Sequence, residues 1–298
     1  MKKVYLIIII LFVGATATAQ QLPQFTQYMY NTTSINPAYA GSRDALSITA
    51  LSRNQWVGLE GAPVTQTLSF NSPLQNDKVA LGLSIINDKI GDENTTFIYG
   101  DFSYRVDLSA DVSLRLGLKA GAYYYGLDDP TFGDDPFFQD EFNRWTPNFG
   151  AGAYLSAQNW YVGFSAPKLI NKDNNRLEEF KALEQVHYYL TSGYVFDLNS
   201  NLKFRPSTLL KATKGAPLSV DVTGTVIFDE KFYLGVNYRI DDALGAFLDV
   251  QLFPGFRAGY AYDYSISDIQ PYTSGSHEFI LIYELRAKNT RYKSPRFF

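Results

Sequence analysis

The stretch PLSVDVTGTVIFDEKFYLGVNYRIDDALGAFLDVQLFPGFRAGYAYDY, residues 217–264, decides the fold class. At its start, Val222 and Val226 alternate with Asp221 and Thr223, and this period of two is typical of a β-strand whose faces meet different surroundings. The alternation restarts after each of three turns. Each run is about ten residues long, and a transmembrane β-strand needs roughly 9–11 residues. The length therefore fits a membrane β-barrel, although a soluble β-sandwich shows the same alternation.

Connections of unequal length decide between these two folds. The even-numbered connections are brief, whereas the odd-numbered ones are generally longer, apart from the eleventh. Short turns facing the periplasm and longer loops facing outside are typical of an outer-membrane barrel. We therefore predict an all-β, antiparallel up-and-down outer-membrane barrel of about 14 strands, with both chain ends on the periplasmic side. The predicted strands lie near residues 46–53, 64–72, 78–88, 95–107, 111–125, 148–157, 160–166, 186–197, 202–212, 218–228, 232–240, 243–252, 256–264 and 277–286.

The composition agrees with a membrane barrel. The chain has 22 Tyr and 22 Phe among 298 residues, and such rings suit the aromatic girdles at membrane interfaces. The net charge is only −4 and the basic residues are scattered, so we expect no nucleic-acid partner and an outer-membrane lipid environment. The absence of Cys excludes a disulfide framework but does not contradict export.

The N-terminus has the features of a signal peptide. Lys2 and Lys3 precede the apolar run 4–13, and an A-x-A-like site follows. We predict a signal peptide at residues 1–19, cleaved after Ala19, because the apolar run is about half of the roughly 20 residues that a helical span needs. No later segment has 18 consecutive apolar residues, so a mature membrane protein would cross with strands.

Three further divisions complete the predicted organisation: a leader at 20–45, a transmembrane barrel at 46–286 and a basic periplasmic tail at 287–298. The leader is polar and aromatic and is neither alternating nor helical. It either plugs the lumen or forms an ordered periplasmic leader. The tail either docks on an acidic periplasmic partner or is a solvated end whose terminal Phe298 serves barrel assembly.

Charged residues occur at the alternating strand positions that are predicted to face inward. Both signs are present, so the lumen would be polar and internally compensated. An ion-selective pore would show one dominant sign, and the mixture therefore favours a plugged or protein-lined interior. The alternative is the solvated outer face of a soluble sheet. These residues are Asp101, Arg105, Arg115, Lys119, Lys203, Arg205, Lys211, Asp221, Arg239, Asp249, Arg257, Asp263, Glu278 and Glu284.

Catalytic and metal-binding roles find little support. The acidic loop 127–147 offers oxygen ligands for calcium but lacks EF-hand spacing, and residues 176–185 have the spacing of a short helix over the barrel mouth. A hydrolase would need Ser276 and His277, but sequence neighbours are not a catalytic triad and no G-x-S-x-G occurs. Phosphate loops and Cys or His metal motifs are absent. We expect no enzyme activity, no cofactor and no metal.

Four short motifs depart from a generic barrel sequence. They are NPAYAG at 36–41, RNQWVGLEGAP at 53–63, GSHE at 275–278 and SPRFF at 294–298. In this order and placement they resemble the PorP/SprF family of type IX secretion system membrane proteins, and the likeness spans the mature chain.

The resemblance implies an outer-membrane barrel of the Bacteroidetes type that works with the type IX secretion and gliding motility machinery. Some members look like core components tied to periplasmic ring proteins. Others look like dedicated partners of one large secreted surface adhesin, which help its C-terminal signal domain to reach or stay at the surface. We predict a non-enzymatic component that binds and helps to export or anchor such a protein; the alternative is an outer-membrane porin or solute transporter.

Candidate structural or partner-binding residues come from these motifs. Asn36-Pro37 starts a turn, because the residue before proline is pushed out of the helical region. Trp56 fits an interfacial anchor or a binding aromatic side chain. The full set is Asn36, Pro37, Tyr39, Gly41, Trp56, Gly58, His277, Pro295, Arg296 and Phe298.

Overall fold

The computed structural model describes residues 23–75, 77–127, 144–170 and 185–285. Most of this part of the chain is β-structure. Its strands are β1 (Leu46–Asn54), β2 (Val64–Pro73), β3 (Val79–Ile90), β4 (Glu93–Asp107), β5 (Ser113–Leu127), β6 (Arg144–Ser156), β7 (Trp160–Ala166), β8 (His187–Tyr194), β9 (Phe196–Asp197), β10 (Leu202–Thr213), β11 (Ser219–Phe228), β12 (Phe232–Arg239), β13 (Ala243–Phe253), β14 (Phe256–Ser265) and β15 (Ser276–Leu285).

The sheet closes on itself where β1 meets β15. These strands pair antiparallel, from Leu46 opposite Leu285 to Asn54 opposite His277. The segments β8 and β9 flank Val195 and pair one after the other with β10, so they form one barrel strand. The result is a closed antiparallel barrel of 14 strands in sequence order, which confirms the predicted fold class. Closure matters in lipid, because every backbone N–H and C=O must find a partner within the protein.

The two faces of the barrel wall differ in polarity. Along β12, Leu234 and Val236 point outward and are 60% and 61% exposed, whereas Asn237 and Arg239 point inward and are buried. The exposed apolar side chains form the surface that meets lipid in an outer-membrane barrel. Burial confirms the inward position for eleven of the fourteen predicted charges, whereas Arg105, Lys203 and Glu284 are only partly buried. The eleven buried residues are Asp101, Arg115, Lys119, Arg205, Lys211, Asp221, Arg239, Asp249, Arg257, Asp263 and Glu278.

The two ends of the barrel carry different connections. At the termini end, where β1 begins and β15 ends, short turns such as 229–231 and 254–255 join the strands. The opposite end is called the loop end. It carries the connections 55–63 and 266–275, which flank the closure and are called the seam loops.

One predicted loop is part of the wall instead. The third connection is only the turn Gly91–Asp92, because β3 and β4 remain paired as far as Ile90 and Glu93. The final pairs include Lys89 opposite Asn94. These polar pairs do not alternate with apolar residues. The alternating pattern in the sequence therefore stops before the paired strands end.

Helical structure in the described residues is brief. It comprises α1 (Thr32–Ile35) and two 3₁₀ turns, Pro37–Tyr39 and Gln270–Tyr272. No helix in the described ranges is both long and apolar enough to cross a membrane. The residues around α1 precede β1 and are buried, which places them against the inner face of the barrel.

Candidate functional site

Residues 23–45, here called the lumenal segment, run through the barrel from one end to the other. Near its start, Gln24 donates from Nε2 to Oγ of Ser219 at 3.1 Å, and Ser219 begins β11 at the loop end. Near its finish, Arg43 pairs with Glu284 at the termini end, with Nε and Oε1 2.5 Å apart. The strands β1 and β15 start and end on one side, as predicted, whereas Gln24 lies at the opposite end of the barrel. The N-terminal end of the chain itself lies outside the described residues.

The buried carboxylate of Glu278 holds the beginning of the lumenal segment, at Thr26 and Gln27. The backbone N–H groups of Thr26 and Gln27 donate to Glu278 at 3.0 and 2.8 Å. Arg53 donates to the same carboxylate at 3.1 Å and contacts Asp263 at 2.8 Å. Hydrogen bonds to charged groups are worth about 1.5–3 kcal/mol each. The segment is thus fixed at a point where three buried charges already neutralise one another in part.

The middle of the segment is held by a second ion pair. Lys119 contacts Asp101 at 2.8 Å, and both side chains are buried. The same ammonium group donates to Oγ of Ser84 at 2.8 Å and to the backbone carbonyl of Thr33 at 3.3 Å. The wall charges therefore bind the segment's backbone as well as each other.

Tyr30 joins the segment to the opposite wall. Its hydroxyl accepts a hydrogen bond from Arg205 at 2.7 Å, and the Arg257 guanidinium lies 4.0 Å from its ring centroid. Its ring meets Tyr233 and Phe247 edge-on, at 6.4 Å each. The phenol is therefore held between two arginines and two aromatic rings of the wall.

Asn36 is a structural residue of the lumenal segment. Its Oδ1 accepts from the N–H of Ala38 at 3.0 Å and caps the 3₁₀ turn, while its Nδ2 donates to the carbonyl of Ala153 at 3.1 Å. Glycines of the wall leave the space for this turn. A Cβ at Gly152 would lie 2.2 Å from the Asn36 Oδ1, and one at Gly117 would lie 2.2 Å from the Ala38 nitrogen.

Three other residues of the NPAYAG motif also fix the lumenal segment against the barrel wall. Pro37 is the first residue of the 3₁₀ turn. Tyr39 packs edge-on against Tyr154, with ring centroids 5.4 Å apart. Gly41 has φ +73°, and a Cβ there would lie 2.3 Å from the Cβ of Ala80. Glycine is therefore required at this position by both conformation and space.

At the loop end, two distant motifs meet across the closure. Val57 donates its N–H to Gly275 and accepts from the N–H of Ser274, both at 2.8 Å. The N–H of Trp56 donates to Oγ of Ser276 at 3.1 Å. Trp56 has φ +50°, which is uncommon for a residue other than glycine. These bonds fix the two seam loops to each other.

The seam loops present apolar side chains to the outside. Val57 and Leu59 are each 37% exposed, and Tyr272 is 68% exposed. Gly58 lies between the first two with φ +100°, and a Cβ there would come no closer than 4.0 Å to the carbonyl of Tyr272. Its conformation, rather than lack of space, explains the glycine. The three apolar side chains are called the seam platform.

His277 lies outside the barrel, away from this network. Its Nδ1 is 2.6 Å from the hydroxyl of Tyr260, and its ring centroid is 5.3 Å from that of Tyr262. The neighbouring Ser276 is buried on the inner face. The two side chains leave the strand on opposite faces, so they do not form the serine–histidine pair that a hydrolase would need.

Several predictions fall outside the described residues. They are the signal peptide, the helix expected within 176–185, most of the acidic loop 127–147, and the tail with Pro295, Arg296 and Phe298. Within the described ranges, no group of three or more His, Cys, Asp or Glu residues is placed to hold a metal ion.

Comparison with known proteins assigns the family. The sequence profile described as "Type IX secretion system membrane protein PorP/SprF" matches residues 17–283. The chain belongs to the PorP/SprF family. As an outer-membrane barrel of this family, the protein resides in the outer membrane, and its membership implies association with components of the type IX secretion system. No curated protein matches the sequence.

Solved structures similar to this PorP/SprF protein include an outer membrane protein and a hydrocarbon channel. The Acinetobacter baumannii outer membrane protein Omp33 is 9% identical over 82% of this chain and 100% of its own, with a TM-score of 0.49. The CymD monoaromatic hydrocarbon channel is 11% identical over 90% and 95%, with a TM-score of 0.47. A Pseudomonas aeruginosa FadL homologue is 14% identical over 91% and 96%, with a TM-score of 0.46.

Proposed function

We propose that this protein is a non-enzymatic component of the type IX secretion machinery that binds an exported surface protein through its C-terminal signal domain and helps to export or anchor it. The observation that carries the proposal is the course of the lumenal segment, which contacts the inner wall from Ser219 at the loop end to Glu284 at the termini end. A barrel with a segment seated in this way acts by binding rather than by diffusion. In this proposal the segment is a plug.

The seam platform is the proposed binding surface for the exported protein. Val57, Leu59 and Tyr272 are exposed apolar side chains on loops that are hydrogen-bonded to each other. Exposed apolar groups on a rigid support are typical of protein-binding surfaces, because little ordering entropy is lost on association. The loop end faces outside in this arrangement, and the termini end faces the periplasmic ring proteins. Export would use the predicted signal peptide at 1–19.

Affinity purification of the tagged protein from native outer membranes tests the proposal. We expect a large surface protein to co-purify through its C-terminal domain, and the triple variant Val57→Ser, Leu59→Ser, Tyr272→Ser to lose it. The matched control is Leu74→Ser, which changes a 44% exposed apolar residue at the termini end and should retain the partner.

Other outcomes discriminate between the alternatives. Recovery of periplasmic ring proteins alone would assign the protein to the core machinery instead. Recovery of neither, together with steady conductance of the purified protein in planar bilayers, would favour the porin or solute transporter.

A further inference from the structure

A cavity of about 420 Å³ lies at the termini end of the barrel. Part of its lining is apolar and aromatic, formed by Phe256, Ile282 and Leu285. Its volume falls within the range of small-ligand pockets, roughly 300–1,000 Å³. The proposed binding of an exported protein at the seam platform does not involve this cavity, which lies at the other end of the barrel.

Arg257 supplies a cation to this cavity. Its side chain is 93% buried, as its exposed fraction is 7%, and its guanidinium lies over the rings of Tyr30 at 4.0 Å and Tyr233 at 4.6 Å. The Nη2 atom has no hydrogen-bond partner. Stacking on two rings fixes the plane of the guanidinium but satisfies none of its N–H donors.

The acidic groups near this cavity do not pair with Arg257 in the described residues. Glu284 forms an ion pair with Arg43, in which the Nε and Oε1 atoms are 2.5 Å apart. Glu230 lies on the turn at the rim and is partly exposed. Asp249 is fully buried on β13, does not line the cavity and is not within the 4.0 Å of an ion pair with Arg257. The charge of Asp249 still acts on Arg257 through space, but the Nη2 donor of the guanidinium has no hydrogen-bond acceptor in the described residues. Leaving a buried donor unsatisfied is costly, and an anion that bound the guanidinium would lower that cost.

We propose that this cavity binds a carboxylate carried on an apolar or aromatic group. The carboxylate accepts hydrogen bonds from the guanidinium of Arg257, which lines the cavity, and the apolar part packs against Phe256, Ile282 and Leu285. A planar guanidinium held by ring stacking suits a carboxylate better than an ammonium group would, because its paired N–H donors match the two carboxylate oxygens.

The test uses the purified full-length barrel in detergent and two probes that differ only in charge. Titration calorimetry should show saturable binding of N-acetyl-L-phenylalanine and none of N-acetyl-L-phenylalaninamide. Arg257→Gln should weaken the binding of the acid about tenfold or more, since it removes a charge-assisted hydrogen bond. The control Lys231→Gln removes an exposed cation from the adjacent turn, outside the cavity lining, and should bind as the wild type does.

A second variant keeps the test valid if Arg257→Gln fails to fold. Gln251→Trp fills the cavity, because Gln251 lines it, and leaves Arg257 in place; it should also abolish binding. Equal binding of the acid and the amide, or wild-type binding by both variants, would overturn the proposal, as would the absence of saturable binding by the acid.

A longer probe shows whether the carboxylate belongs to a segment of a partner protein or to a free organic acid. The acetylated peptide Ala-Ala-Ala-Phe with a free carboxylate should bind at least as well as the single residue. Binding about tenfold tighter would indicate a segment of a partner protein, since the added residues would contribute contacts of their own. Equal binding would indicate a free organic acid.

Discussion

Arg53 of β1 and Glu278 of β15 are partners in the strand ladder that closes the barrel, and their side chains form an ion pair of 3.1 Å inside the lumen. The same carboxylate accepts the backbone N–H groups of Thr26 and Gln27. One buried pair therefore links the closure of the barrel to the seating of the lumenal segment. The two functions cannot be separated by removing either charge alone, because the other charge would remain buried without its partner.

Arg53→Met should destabilise the folded barrel strongly. Removing one partner of a buried pair typically costs about 3–5 kcal/mol, and here Glu278 and Asp263 would both lose their cation. Urea unfolding of the protein in lipid vesicles measures the change in the free energy of unfolding. The double variant Arg53→Met, Glu278→Met should lose less than the sum of the single variants.

The matched control for Arg53→Met is Lys203→Met. Lys203 pairs with Asp197 at the termini end, and the Asp197 side chain is 68% exposed. Exposed pairs of this kind contribute about 0–1 kcal/mol. A stability of Arg53→Met equal to that of the control would show that the lumenal charges are hydrated and not coupled to the segment.

Gly117→Ala should displace the lumenal segment while leaving the barrel strands paired. The added Cβ would lie 2.2 Å from the backbone nitrogen of Ala38, and the segment can move more readily than a strand hydrogen-bonded on both sides. We expect current steps in planar bilayers that the wild type lacks. Gly100→Ala is the control, because its Cβ would come no closer than 3.8 Å to the carbonyl of Ala120. Identical, silent traces for both variants would contradict the plug proposal.

The barrel itself could be predicted from sequence, but the lumenal contacts could not. Alternation along β12 is a local signal, and it gives the inward positions of residues such as Arg239 without further information. The seating of Thr26 on Glu278 depends on atoms 252 residues apart, and no periodicity marks the leader. Asn36 and Gly41 were singled out as motif residues, but their role follows only from the wall positions that they contact.

The substitutions Ser276→Ala and His277→Phe should have different effects on the seam. Ser276→Ala removes the acceptor of the Trp56 N–H, a part-buried hydrogen bond, and should destabilise the seam loops by about 0.5–1.5 kcal/mol, the net contribution of a typical hydrogen bond. His277→Phe should leave stability and partner recovery unchanged, because the ring lies on the outer face among Tyr260 and Tyr262. Limited proteolysis of the seam loops compares the two. Equal protection in both variants would show that the Ser276 contact does not fix the loops.

The opposite positions of Gln24 and Arg43 predict that the start of the lumenal segment, at Pro23, is accessible from the loop end. The protein has no native Cys, so a cysteine inserted directly before Pro23 is its only thiol. We expect a membrane-impermeant maleimide to label it on intact cells. Glu60→Cys, exposed on a seam loop, should be labelled in the same way, whereas Lys231→Cys, on a turn at the termini end, should react only after the outer membrane is permeabilised. Labelling of the inserted cysteine only after permeabilisation would show that the segment enters and leaves the barrel at the termini end. The lumenal contacts of Gln24 with Ser219 would then have to be absent in the membrane.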